Sequence, residues 1–258
     1  MAASFVGVCT ANAEPRVLLI GDSWAAGMLL NRSFDKAFAN FGLDDVELSG
    51  QKTALGGSTA REWAKNHDGK LDAIASELSA KPSLDTALLF LGGNDLLGWA
   101  QKNALESSTP EQRESLYRQI CGDLETVIRF LSECRPGIRV VLCDYDFLDP
   151  ARITEVYDLE FKGDCTPKLL NDALLELAKK KAALIAEFSN GLFVSQYGLL
   201  QRQAGMQAAS DLPSPPELMP DGVHPSPAGF DRVAAGCLQS MMDADPPLFA
   251  NPGKGPDK

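Results

Sequence analysis

Short apolar runs of strand length alternate with long amphipathic stretches along most of the chain, and this alternation restricts the fold more than any other feature. Strand-like runs are read at Arg16–Ile20, Val46–Ser49, Thr86–Leu91, Ile138–Cys143 and Leu192–Ser195. Helical patterns fill the gaps at Ala25–Phe41, Arg61–Leu78 (broken near Asp68-Gly69), Glu111–Cys134, Pro167–Phe188 and Ala228–Met242. In "LLNDALLELAKKKAALIAEF" leucines recur at three- and four-residue spacing, the mark of one apolar helix face. Strands joined through helices of this length need crossover connections, which are right-handed and build a parallel sheet covered on both faces. The expectation is one α/β domain of about five strands. Neither an internal repeat nor a dividing linker interrupts it. Two segments read as elaborations, Phe147–Thr166 and Gln196–Pro220, and the second ends in the proline-rich "DLPSPPELMP".

The ends are read separately. Phe5-Val6-Gly7-Val8-Cys9 followed by Ala11-Asn12-Ala13 resembles the end of an export signal, though its apolar stretch is short and no Lys or Arg precedes it. Residues 1–14 are therefore expected to be a leader remnant or a disordered tail, which favours export and leaves a cytoplasmic location open. The body of the domain is assigned to 15–243, and the Pro- and Gly-rich 244–258 to a mobile tail. No apolar run approaches the roughly 18 residues of a spanning helix. A net charge of −11 argues against a nucleic-acid partner, whose affinity would come from clustered Lys and Arg. The densest basic run, Lys179-Lys180-Lys181, lies in a helical pattern and reads as a solvated face. Six cysteines do not settle the redox compartment. Cys121 and Cys134 share one expected helix about 20 Å apart, too far to bridge. Cys121 with Cys165 is the pairing to test, against the alternative of scattered free thiols.

In an open parallel sheet the loops leaving the carboxyl ends of the strands converge on one crevice. Here those loops read "GDSW" after the first strand, "SGQKTALGGST" after the second and "GGNDLL" after the third, with "PDGVHPSP" before the last helix. Together they bring a serine, glycine-flanked amides, an asparagine and an Asp-x-x-His pair to one end of the sheet. Acyl transfer needs such parts: a hydroxyl nucleophile, an imidazole base, a carboxylate to orient it and donors for an oxyanion. Each alone has a plain structural reading. Ser23 sits where helix caps sit, Gly56-Gly57 could form a turn, Asn94 and Asp95 could cap the next segment, and Asp221 and His224 could be ordinary loop residues. The joint arrangement favours chemistry. Of the two histidines, His67 lies near no strand end, whereas His224 has a carboxylate three residues before it.

Four motifs in order, from Val17 to about Val233, resemble those of the GDSL esterases and lipases, also called SGNH hydrolases. The resemblance implies a flavodoxin-like three-layer α/β/α sandwich. It implies that Ser23 in "GDSW" is the nucleophile, with His224 as general base and Asp221 in "DGVHPS" as its orienting carboxylate. The oxyanion donors it implies are the backbone N–H groups of Ser23 and Gly57 and the side-chain amide of Asn94. Trp24 stands where the name-giving motif has leucine, and is expected to wall the acyl group together with Leu96, Leu97 and Trp99. Tyr157 and Phe161 fit core and pocket equally well. Asp22 is assigned to loop scaffolding.

The expected activity is hydrolysis of carboxylic esters through an acyl-serine, with short acyl chains or acetylated carbohydrate as substrate and no cofactor or metal. Alternatives left open are a lipase, lysophospholipase or thioesterase of the same family, an acyltransferase, and a non-catalytic carbohydrate- or lipid-binding module. Phosphate-binding motifs G-x-x-x-x-G-K-[ST] and G-x-G-x-x-G do not occur, and "GDSWA" lacks the G-x-S-x-G elbow of α/β-hydrolases. Asp144, Asp146 and Asp149 in "CDYDFLDP" are read as capping or solvated acids before a cation site.

Overall fold

The computed structural model describes residues 14–249. In chain order its elements are β1 (Glu14–Gly21), α1 (Ser23–Leu30), α2 (Ser33–Asn40), β2 (Val46–Ser49), α3 (Ala60–Ala64), α4 (Lys70–Ala80), β3 (Thr86–Phe90), α5 (Gly93–Ala100), α6 (Pro110–Cys134), β4 (Arg139–Cys143), α7 (Pro150–Tyr157), α8 (Pro167–Ile185), β5 (Gly191–Val194), α9 (Leu199–Gln203) and α10 (Pro227–Met242). The five strands form one sheet in the order β2-β1-β3-β4-β5, with every pairing parallel. Helices cover both faces, so the three-layer α/β/α expectation holds. On one face α2 and α1 pack on α10, which also meets α9; on the other, α6 meets α3, α4 and α8.

Central strands covered on both faces have no solvent side to make polar, so they read as unbroken apolar runs. Val17–Ile20, Ala87–Leu91 and Val140–Cys143 are accordingly fully buried. Register aligns Gly21, Phe90 and Cys143 at their carboxyl ends, where the loops that carry the motifs leave the sheet.

The helix expected over Ala25–Phe41 is two helices. Arg32 takes a left-handed conformation (φ 54°) and ends α1. The break lets Asn31, Ser33 and Lys36 all reach the Asp231 carboxylate on α10. The break expected near Asp68-Gly69 is present, with Asn66, Asp68 and Gly69 all at positive φ between α3 and α4. The described part of the expected tail also differs from the expectation. Phe249 is buried against Phe38 and beneath the guanidinium groups of Arg16 and Arg139, so the chain stays on the fold to that residue. The expected leader, apart from Glu14 in β1, lies outside the described residues, as do residues 250–258.

Of the two cysteine alternatives the free thiols hold, and one further reading needs correction. Cys121 and Cys165 are both free thiols, as are Cys134, Cys143 and Cys237. Lys181 does not lie on a solvated face. Its side chain is fully buried, and its ammonium donates to Asp144 Oδ1 at 2.6 Å and to the Cys143 carbonyl at 2.8 Å, beside the Tyr145 ring. Lys179 and Lys180, two and one positions earlier, are exposed. A buried ion pair tolerates loss of one partner poorly, because the other charge is stranded in low dielectric. Asp144 Oδ2 already has no partner among the described residues. Lys181→Met is expected to destabilise the fold by about 3–5 kcal/mol in urea denaturation, through the abandoned Asp144 carboxylate.

Candidate active site

β1 ends at Gly21 because the next strand's backbone is too close for a side chain. A Cβ there would lie 2.3 Å from the Phe90 carbonyl oxygen. Asp22 then caps α1, accepting from the Trp24 N–H at 2.9 Å, and Ser23 becomes the first residue of the helix. The N–H groups of a helix's first turn have no intrahelical partner and carry its positive dipole end. The Ser23 N–H is one of these.

Asp22 itself turns inward. It is 2% exposed and accepts the Tyr145 hydroxyl at 2.6 Å. Burial pushes its carboxyl up to about 6, against the opposing hydrogen bonds from Tyr145 and Trp24 and the Lys181 charge. Tyr145 in turn accepts from the Gly93 N–H, so one hydroxyl joins "GDSW" to "GGND" from below. No larger residue fits at position 93, since a Cβ would meet the Tyr145 ring at 2.7 Å.

The second motif is stitched to the end of β1. Gly21 donates to the Thr53 carbonyl and accepts from Leu55 N–H and Ser58 Oγ. Gly57 has φ 76°, a left-handed conformation that favours glycine, and lines the cleft beside Ser23. Asn94 donates one amide hydrogen to the Ser58 carbonyl at 3.0 Å, which leaves the second for a ligand. Asp95, in the first turn of α5, caps α3, accepting from Ala60 N–H at 2.8 Å. Burial raises its carboxyl above the usual range.

"DGVH" works as a spacing because the two oxygens of Asp221 do different tasks. Oδ1 accepts from the N–H groups of Val223 and His224, which closes the turn locally. Oδ2 faces the imidazole, 2.8 Å from His224 Nδ1. On the other side of the ring Nε2 stands 2.7 Å from Ser23 Oγ, across 201 positions of chain. With the serine hydroxyl donating to Nε2, the neutral ring carries its proton on Nδ1, directed at Asp221. Partial burial would raise the Asp221 carboxyl, but hydrogen bonds from Tyr157, the His224 and Val223 amides and the imidazole hold it below the usual range. The structure thus brings Ser23, His224, Asp221, Gly57 and Asn94 together. His67 is exposed and pairs with Asp68.

Of the wall residues expected from sequence, Leu97 lines the cleft and the other three lie elsewhere. Trp24 is 1% exposed and packs edge-on against Tyr145 and Phe230, with its indole N–H on the Val223 carbonyl at 2.8 Å. Leu96 is fully buried, and Trp99 packs on the core off the cleft. Helical spacing explains the error: Asn94, Leu97, Gly98 and Gln101 share the face that lines the cleft, which points 96 and 100 into the core. A cleft of about 380 Å³ opens over Ser23, walled by Leu97, Ile153, Tyr157, Leu159, Phe161 and Val223. α7 supplies Ile153 and Tyr157, four residues apart and so on one face. The acids of "CDYDFLDP" are all engaged: Asp144 by Lys181, Asp146 by the amides of Gly198 and Leu200, and Asp149 as the cap of α7. Among the described residues no cluster of His, Cys, Asp or Glu could hold a metal ion, and no helix is long and apolar enough to cross a membrane.

The model of the GDSL-like lipase/acylhydrolase family matches residues 19–232. The chain belongs to that family. Among solved structures it is similar to the lipase Lip_vut3 from a goat rumen metagenome, at 13% identity and a TM-score of 0.58, covering 88% of this chain and 97% of that one. It is similar too to a Clostridium thermocellum family 3 carbohydrate esterase (18% identity, TM-score 0.51, 89% and 96% covered). A third is a family 3 carbohydrate esterase from Talaromyces cellulolyticus (15% identity, TM-score 0.51, 87% and 93% covered). At these identities the likeness is one of fold. No curated protein matches the chain. This GDSL-family protein is an acylhydrolase by family, with a small-molecule ester as the expected kind of substrate.

Loss of the Trp24–Val223 tie tests how the site is held. Trp24→Phe is expected to destabilise the protein by about 1–3 kcal/mol from the orphaned Val223 carbonyl alone, measured by chemical denaturation.

Proposed function

We propose that this protein hydrolyses carboxylic esters of short acyl chains, acetylated sugars among them, through a covalent acyl-serine. The observation that carries the reading is the Ser23–His224–Asp221 chain of hydrogen bonds, 2.7 and 2.8 Å long, opening onto the cleft. Ser23 is a weak nucleophile at its own pKa and needs a base as it attacks. His224 Nε2 takes the hydroxyl proton and later gives it to the departing alcohol, and water repeats the cycle to release the acid. Asp221 keeps the ring in the Nδ1–H tautomer and stabilises the imidazolium. The negative oxygen of the tetrahedral intermediate meets the N–H groups of Ser23 and Gly57 and the free amide hydrogen of Asn94.

Size supports the short-chain reading, because a cleft of about 380 Å³ is near the lower end for ligand sites and must hold both acyl and alcohol parts. The apolar side chains of Leu97, Leu159 and Phe161 suit the acyl group, and Thr59 and Gln101 offer hydrogen bonds to a hydroxylated alcohol. Carbohydrate esterases among the structural neighbours favour a sugar in that role.

A fluorophosphonate probe is expected to label the wild-type protein at Ser23. Ser23→Ala is expected to remove both labelling and hydrolysis of p-nitrophenyl acetate while leaving the protein folded; turnover at the parent rate would remove Ser23 from the chemistry. Asn94→Ala is expected to lower kcat on the order of 10²–10³-fold. Across p-nitrophenyl esters from acetate to palmitate the rate is expected to peak at the short end, and a long-chain optimum would overturn that part of the proposal. Gly98 lines the cleft with nothing within 4 Å of where its Cβ would stand. Gly98→Leu is therefore expected to reduce hydrolysis of hexanoate more than of acetate.

A further inference from the structure

Tyr157 lies at the last turn of α7, 45% exposed, and its hydroxyl reaches the dyad of Asp221 and His224. It donates to Asp221 Oδ2 at 2.6 Å and stands 3.0 Å from His224 Nδ1. Asp221 Oδ2 therefore accepts two hydrogen bonds, one from the phenol and one from the imidazole. The helix that delivers Tyr157 is pinned to the same loop along its length. Asp149 N–H donates to the Gly222 carbonyl and Arg152 Nε to the Pro220 carbonyl, both at 2.9 Å. Gly222 could bear no side chain there, since a Cβ would lie 2.6 Å from the Asp149 carbonyl oxygen. So α7 and the His224 loop are built as a unit, and the phenol sits where it does by construction.

We infer that Tyr157 is a positioning residue that shares Asp221 Oδ2 with His224 and so sets how far into acid the enzyme works. A carboxylate oxygen that already accepts a phenol proton is a weaker partner for the imidazolium. The imidazolium then forms less readily at rest, and His224 stays available as a base at lower pH. The phenol remains a donor throughout, because burial and the neighbouring Asp221 push Tyr157 up to about 12. Other groups around the imidazole do not duplicate this. From the junction of β1 and α1 come Ser23, on Nε2, and Asp22, buried behind it and facing Tyr145; the Asp22 charge acts on the imidazole through space and is left in place by a change at Tyr157. From α5 come the neutral Asn94 and Gln101, and Arg152 on α7 is paired with Glu155 and Pro220.

The inference rests on the ester-hydrolase reading, so its test has one measurement that needs no turnover. In resting protein the His224 imidazole is titrated by NMR, with His67→Gln used to assign the two histidines. In parallel, kcat/KM for p-nitrophenyl acetate is measured against pH. Tyr157→Phe keeps the ring that lines the cleft and removes only the hydroxyl. It is expected to move both the His224 titration and the acid limb of kcat/KM to higher pH, by about 0.5–1 unit. Activity on the acid side then falls roughly three- to tenfold, while KM for this small ester holds. A merely structural role would lower the melting temperature and leave both curves in place. Curves that superimpose on the parent's, or move to lower pH, overturn the inference. If the NMR titration shifts in a protein with no esterase activity, the coupling stands and the hydrolase reading fails.

Discussion

A partly buried hydrogen bond of 2.8 Å, from the Trp24 indole to the Val223 carbonyl, ties the start of the fold to its end directly beside the site. Its two residues are each adjacent to a member of the Ser23–His224 pair. Trp24 is held by packing against Tyr145 and Phe230, and a ring wedged on two sides leaves its N–H only one direction. Fixing Val223 fixes the ring next to it. The 2.7 Å separation of Ser23 Oγ and His224 Nε2 is therefore set by a buried aromatic, and the His224 loop has little freedom to change it.

Beneath that tie lies a continuous polar layer at the carboxyl end of the sheet. Lys181 binds Asp144 and rests against the Tyr145 ring, Tyr145 donates to Asp22, and Asp22 caps the helix that Ser23 begins. Charges so deeply buried stay only where nearly every donor has an acceptor. The cost of disturbing any member keeps the others in place, which suits a site needing positional accuracy of a fraction of an ångström. Asp22 shows the division of labour within one motif. Its carboxylate faces inward to the scaffold, and the serine after it, the first residue of the helix, faces the cleft.

Strand positions and the chemical ends of the site were legible because each depends on local rules. Unbroken apolar runs mark strands covered on both faces, and Asp-x-x-His works because one carboxylate oxygen closes the turn that presents the other. What could not be read depends on direction. Trp24, Leu96 and Trp99 have the composition of a pocket wall, but which face of α5 points to the cleft is decided by Gly93 against Tyr145, a contact from another strand's loop. A count from Asn94 at helical spacing adds Gly98 and Gln101 to the Leu97 that was expected. Lys181 escaped for the same reason: two exposed neighbours suggested a solvated run, and only its partner on β4 draws it inside. The kink at Arg32 carries no glycine or proline to announce it, and follows from ties to Asp231 nearly 200 positions away.

The segment between β4 and α8 illustrates how a fixed reaction can be given a variable substrate. Ser23 and Asn94 stand in the first turns of helices that leave β1 and β3, and the loops of Gly57 and His224 are tied to that frame through Gly21 and Trp24. α7 and the loop after it touch that frame mainly through the Asp149–Gly222, Arg152–Pro220 and Tyr157–Asp221 bonds, and through Lys162 N–H on the Ala100 carbonyl. Of the two described α7 side chains that line the cleft, Ile153 is buried and Tyr157 is exposed. Changes at Leu159 or Phe161 can therefore reshape the cleft without moving the dyad. Changes at Tyr157 cannot, because its ring belongs to the cleft and its hydroxyl to the dyad. Substrate shape and the acid limit of the chemistry are coupled at that one side chain.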